Sequence, residues 1–160
     1  MSTSRLYRAF GLEGCSYMCT EYVEGEIHVR VRLNDQKLRC AACGCREVIR
    51  KGRRQRRFRG LPIGRRPVWI VLEAVRLGCR TCGAVKQAQV AFAPGQHRYT
   101  RRFARHVLDL SRAMAMSDVT RHQGVSWNVV KAILKTDLER RFRRSKLQGL
   151  RLIAIDEVST

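Results

Sequence analysis

The sequence predicts an α+β chain: a small β-rich module stapled by a metal, followed by a helical module. Three observations carry that prediction. Two Cys-x-x-C pairs lie far apart, at Cys40/Cys43 and Cys79/Cys82. Stretches with strand character lead toward both pairs, at residues 26–33 and 68–77. After Pro94-Gly95 the apolar spacing changes from period two to helical.

The first strand reads Glu26-Ile-His-Val-Arg-Val-Arg-Leu33, with Ile27, Val29, Val31 and Leu33 on one face. His28 falls on the polar face and reads as a surface residue rather than a ligand. The second runs from Val68 to Leu77 and is rich in β-branched and aromatic side chains. It leads directly into Cys79.

Each cysteine pair is followed by glycine, Gly44 or Gly83, as a tight turn with positive φ requires. In such a knuckle the first cysteine ends a strand and backbone amides point at the sulfurs. Four thiolates fill a tetrahedral site and leave no open position, so Cys40, Cys43, Cys79 and Cys82 predict structural Zn(2+). Seven cysteines is an odd number, and a disulfide framework does not fit a chain without a secretion signal. Cys45 could compete as a ligand but reads as a spare thiol. Cys15 and Cys19 have no partner pair and read as core or surface thiols.

Charge selects the partner. Lys and Arg number 33 against 13 Asp and Glu, a net +20. Residues 1–37 balance five basic against five acidic side chains, so the remainder carries the whole excess. A field of that sign points to a polyanion, nucleic acid first, with a merely soluble cationic protein or a ribosome-like structural one as the alternative. The helix-turn-helix read below narrows this to double-stranded DNA. Between the knuckles no acid interrupts residues 48–72. Arg53, Arg54, Arg56, Arg57 and Arg59 form the dense centre of that run. It predicts a strand-turn excursion that presents guanidinium forks to phosphate, with a merely solvated face as the alternative.

In the helical part, Thr100 predicts an N-cap and Phe103, Val107 and Leu110 an apolar stripe. Ser117 is expected to cap a short helix carrying Val119 and Gln123. Gly124 supplies the turn, Val125 plugs the core, and Ser126 caps the next helix, whose Val130, Ile133 and Leu134 face inward. That order is a helix-turn-helix. Its outer face offers Ser126, Trp127, Asn128, Lys131 and Lys135 to DNA; an ordinary helical hairpin is the alternative. The helix should continue through Leu138 and Phe142 and break at Gly149. Leu150 to Glu157 then reads as a strand ending in Asp156, as in the metal-ligand strand of RNase H-like nucleases.

Taken in order, these motifs resemble the ISL-three family of bacterial insertion-sequence transposases. The resemblance rests on Cys40-Ala-Ala-Cys43-Gly, Phe58-Arg-Gly-Leu61-Pro62-Ile63-Gly, the strand running into Cys79-Arg-Thr-Cys82-Gly, Gly124-Val-Ser126 and Ile155-Asp156-Glu157. It implies a zinc-binding domain, a helix-turn-helix for the element's terminal inverted repeats, and an RNase H-like domain in which Asp156 is the first catalytic acid. The expected division is a β segment over 1–37 packing on a zinc domain over 38–95, a helix-turn-helix domain over 98–147, and the first strand of the RNase H-like domain over 150–160. Two-metal chemistry needs several carboxylates, so Mg(2+) belongs only to an intact catalytic domain and Asp156 is not expected to work alone. The chain therefore reads as the DNA-binding front of a transposase, catalytically incomplete, able to pair with itself or with an intact transposase. The alternatives are a free-standing zinc and helix-turn-helix transcriptional regulator and an RNA-binding zinc protein. No apolar run approaches the roughly 18 residues of a membrane span, and no signal peptide opens the chain, so a cytoplasmic location is expected.

Overall fold

The structure, a computed structural model, describes residues 8–143. Five strands form one sheet: β1 (Cys15–Val23), β2 (Glu26–Leu33), β3 (Val48–Arg59), β4 (Val68–Cys79) and the short β5 (Val85–Gln87). Three helices follow, α1 (Arg101–Leu110), α2 (Met116–Gln123) and α3 (Trp127–Phe142). The expected strand with Asp156, and the basic residues Arg144 and Lys146, lie outside the described residues.

The strand order is β1-β2-β4-β3, with β5 pairing β4. β1 and β2 form an antiparallel hairpin, turning at Glu24-Gly25, both with positive φ. β3 and β4 form a second antiparallel hairpin whose register runs from Val48↔Cys79 to Arg59↔Trp69. The two hairpins join through a parallel β2–β4 pair, Ile27↔Val68 to Arg32↔Glu73. β2 has the bounds its alternation predicts, because one face is buried (Ile27, Val29, Val31, Leu33) and the other is not. β4 is the central strand, so its apolar residues are buried nearly throughout.

The sheet's core joins Val29, Val31, Ile70 and Leu72 to Phe10, Leu12, Phe58 and Phe92. Phe58 meets Phe92 edge-to-face, with centroids 5.1 Å apart. A separate cluster holds the helices together: Tyr99, Phe103, Val107, Val119, Val130 and Ile133. Thr100 caps α1 as its sequence position predicts, accepting the Phe103 N–H at 3.1 Å. Gly124 ends α2 in the left-handed conformation at φ 59°, and Val125 and Leu134 pack against the cluster half-buried.

Three local expectations are corrected. Ser117 does not cap α2; Ala115 stands at that position and Ser117 is already inside the helix. Ser126 occupies the N-cap of α3 with extended backbone, but its side chain makes no capping hydrogen bond. Cys40 does not end a strand: β2 stops at Leu33, and a 3-10 turn over Asp35–Lys37 intervenes. Cys79 does end one.

Candidate metal centre and nucleic-acid interface

The β3–β4 hairpin brings the knuckles together, because Val48 and Cys79 face each other at its open end. The Sγ atoms of Cys40, Cys43, Cys79 and Cys82 all lie within 4.8 Å of one another. Cys40 Sγ is 3.6 Å from Cys82 Sγ, and Cys43 Sγ is 3.6 Å from Cys79 Sγ. A tetrahedron with Zn–S bonds of about 2.3 Å would set sulfurs about 3.8 Å apart, so the cage fits zinc. The two knuckles are built alike. Gly44 N–H donates to Cys40 O at 3.0 Å and Gly83 N–H to Cys79 O at 3.1 Å. Both glycines have positive φ. The Ala42 amide points at Cys40 Sγ (3.3 Å) and the Cys82 amide at Cys79 Sγ (3.5 Å).

Those amides tune the thiols. The Cys82 amide leads in pulling Cys79 down to about 6, and the Cys43 amide leads in lowering Cys40. The Cys45 amide also pulls on Cys43, but the sulfurs of Cys82, Cys79 and Cys40 prevail and push it up to about 12. Crowded thiolates repel, and a divalent cation relieves that repulsion. Cys45 stands beside the cage; its sulfur accepts from the Thr81 hydroxyl (3.1 Å) and the Glu47 amide (3.3 Å). Cys15 is a buried core thiol, pushed up to about 11 by desolvation.

From the cage, β3 runs back toward the helices and carries the arginine row. Arg53 pairs with Glu73 at 3.3 Å. Arg54 is exposed and makes no ion pair among the described residues. Arg56 lies over the Phe58 ring at 4.6 Å and donates to Gln96 O at 3.2 Å. Burial, then the like charges of Arg98 and Arg54, lower its pKa. Arg57 stacks on Trp69 at 4.7 Å and pairs with Glu26 at 3.0 Å. Its fork also reaches His28 Nε2 at 3.2 Å, which makes His28 a half-buried partner in a polar network on the sheet.

Arg59 stands apart from this row. It is 6% exposed, and its guanidinium donates to Gln123 O at 2.7 Å. It is held between Trp69 and Phe103, 5.3 and 5.8 Å from their centroids. In this arrangement it faces the helices, not solvent.

On α3, Trp127, Asn128, Lys131 and Lys135 are all exposed, as is Ser126 before them. Lys135 reaches Glu139 at 3.8 Å, a loose surface pair. A cleft of about 1710 Å³ separates β3 from α3. Arg54, Arg56, Arg57 and Arg59 line one side, and Ser126 and Asn128 the other. Trp127, Lys131 and Lys135 lie on the neighbouring outer face of α3. The cleft also takes in Lys86, Arg98 and Arg101, which sequence reasoning missed. Lys86 and Arg98 sit outside any apolar periodicity and Arg101 opens α1; the cluster Arg98, Arg101, Arg102, Arg105 hinted only at the latter two.

Fold and site together define a zinc-ribbon and helix-turn-helix protein of the DNA-binding class. Residues 36–82 match the zinc-finger of transposase IS204/IS1001/IS1096/IS1165, and residues 88–137 match the helix-turn-helix domain of transposase family ISL3. These adjoining matches cover more than half of the chain, and the chain belongs to transposase family ISL3, of which it carries the DNA-binding zinc-finger and helix-turn-helix parts. No curated protein and no solved structure matches it. The regulator reading is not favoured. Among the described residues no helix is long and apolar enough to cross a membrane.

Proposed function

We propose that this chain recognises the terminal inverted repeats of an insertion sequence, with α3 as the recognition helix and the arginines of β3 as phosphate contacts. The observation that carries this reading is the placement of the basic strand and the start of α3 on opposite sides of one cleft. In a helix-turn-helix the first residues of the second helix meet base edges in the major groove. Asn128 and Lys131 are the exposed polar groups there. Asn offers a bidentate pair to adenine and Lys a donor to guanine. Trp127 adds an apolar surface and Lys135 a phosphate contact. Arg53, Arg54, Arg56 and Arg57 supply charge without sequence information. Cys40, Cys43, Cys79 and Cys82 hold the zinc that keeps the ribbon in shape, and the metal takes no part in contact with DNA.

The test compares binding to a duplex carrying the element's terminal repeat with binding to a scrambled duplex at fixed salt. Asn128→Ala and Lys131→Ala should each narrow the preference, roughly by tenfold or more per lost base contact. Arg54→Ala should weaken both duplexes alike. Equal affinity of the unaltered protein for repeat and scrambled DNA would refute the reading.

A further inference from the structure

We propose that the cleft between β3 and α3 seats the sugar–phosphate backbone of the same duplex that α3 enters, and that Arg59 is the positioning residue that sets the spacing of its two walls. This rests on the reading of α3 as the recognition helix.

The cleft's chemistry points to a polyanion. Seven of its lining residues are Lys or Arg and none is Asp or Glu. Arg54, Lys86 and Arg98 carry no ion pair among the described residues, whereas Arg53 and Arg57 on the same strand are each paired with a glutamate. Like charges gathered without counter-charge are costly unless a partner supplies it. At about 1710 Å³ the cleft exceeds the range of about 300–1,000 Å³ typical of small-molecule sites. An elongated ligand fits it better. The α3 side is lined by Ser126, Asn128, Val129 and Ala132, uncharged groups that let a backbone approach closely.

Arg59 ties the walls together through both its backbone and its side chain. Its N–H donates to Arg98 O at 2.8 Å, and its carbonyl accepts the Thr100 N–H at 2.9 Å. The segment that carries Arg98 and starts α1 is thereby pinned to the end of β3. Its guanidinium holds Gln123 O, the last residue of α2 before the Gly124 turn that launches α3. One residue therefore fixes Arg98 and the start of α3 against the arginine strand. The joint is not saturated: Arg59 Nε and Gln123 Oε1 are buried without partners. Both side chains are more than nine-tenths buried. That leaves one donor and one acceptor at the joint for a water or a phosphate-bound network.

The experiment uses the full chain loaded with zinc, a terminal-repeat duplex and a scrambled duplex, read by anisotropy across a salt series and by phosphate-ethylation interference. Arg54→Ala/Arg98→Ala should lower affinity for both duplexes at least tenfold and reduce the salt slope by about two, one per residue. It should erase interference at phosphates beside the α3 site while leaving the sequence preference intact. Arg59→Met should keep its zinc and helix content yet lose that same flanking interference, with protection in the α3 groove retained. An unchanged salt slope and interference pattern in the double variant would overturn the cleft, and unchanged flanking interference in Arg59→Met would overturn its positioning role. Arg54 and Arg98 are exposed, so their variant decides the cleft even where Arg59→Met fails to fold. Failure of the underlying reading looks different: no preference for the repeat at all, with Asn128→Ala indistinguishable from the unaltered protein.

Discussion

Gly124 shows how much one residue decides. It sits at φ 59° where α2 ends, with open space where a Cβ would point. Gly124→Ala should therefore cost the left-handed backbone penalty alone, about 1 kcal/mol, seen as a lowered Tm with the helices still formed. Thr100 is 1% exposed and its hydroxyl accepts the Phe103 N–H. Thr100→Ala should cost about 0.5–2 kcal/mol by chemical denaturation, the range of a lost cap. Glu26 supplies a pH dependence. The Trp69 indole, then His28 and Arg57, outweigh desolvation and hold its carboxyl below the ordinary 4.5. A depressed folded-state pKa stabilises above the unfolded value and loses that contribution as pH falls through the folded one. The stability gap between the unaltered protein and Glu26→Gln, followed by urea midpoint, should thus be full at neutral pH and close below about pH 4.5. Residue type revealed Thr100, Gly124 and the knuckle glycines from sequence. It did not reveal Arg59, because nothing in a row of arginines marks the one that turns inward; its burial follows from where β3 meets Tyr99 and Phe103.

At the scale of elements, legibility tracked burial. β2 and β4 were readable because each presents an apolar face to the core. β1 was not: its burial follows no period, a bulge falls between Tyr17 and Cys19, and Tyr17, Met18 and Tyr22 stand exposed on this edge strand. β5 is three exposed residues and carries no pattern at all. The cysteine spacing foretold the cage, and the β3–β4 hairpin is the element that returns Cys79 to Cys40. Zinc removal tests the elements separately. The helices have their own core, so chelation or Cys79→Ser should release about one equivalent of metal and loosen the cage end of the β3–β4 hairpin. The helical signal at 222 nm should persist; its collapse along with the metal would show that the helices depend on the cage.

The whole molecule is governed by its charge. With a net +20, binding to any duplex should weaken steeply with salt, each phosphate neutralised contributing close to one unit to the log–log slope. Of the described cations, many are already matched by acids on their own elements, as Arg140 and Arg141 are by Asp137 at 2.8 and 2.6 Å. The measured slope should therefore fall well short of the total positive charge. The fold class, two modules in series, was legible from composition and spacing. Their mutual placement was not, since it rests on backbone hydrogen bonds between Arg59 and the Arg98–Thr100 segment that no pattern of side chains encodes.

The parallel seam between β2 and β4 has a consequence in time. Each hairpin closes over a short turn, at Glu24-Gly25 or near Ile63-Arg66, and such closures take on the order of microseconds. The seam instead pairs Ile27 with Val68 and Arg32 with Glu73, partners about forty residues apart whose meeting must wait for both hairpins to find each other. Refolding should accordingly be paced by this encounter. Val29, 2% exposed at the seam's middle, should register it: Val29→Ala should slow folding, whereas trimming exposed Tyr22 at the β1 end should leave the folding rate nearly unchanged in a stopped-flow chevron. On that expectation the element that unites the sheet is also the one whose contacts form slowest, so the seam rather than either ribbon sets the pace at which the fold closes.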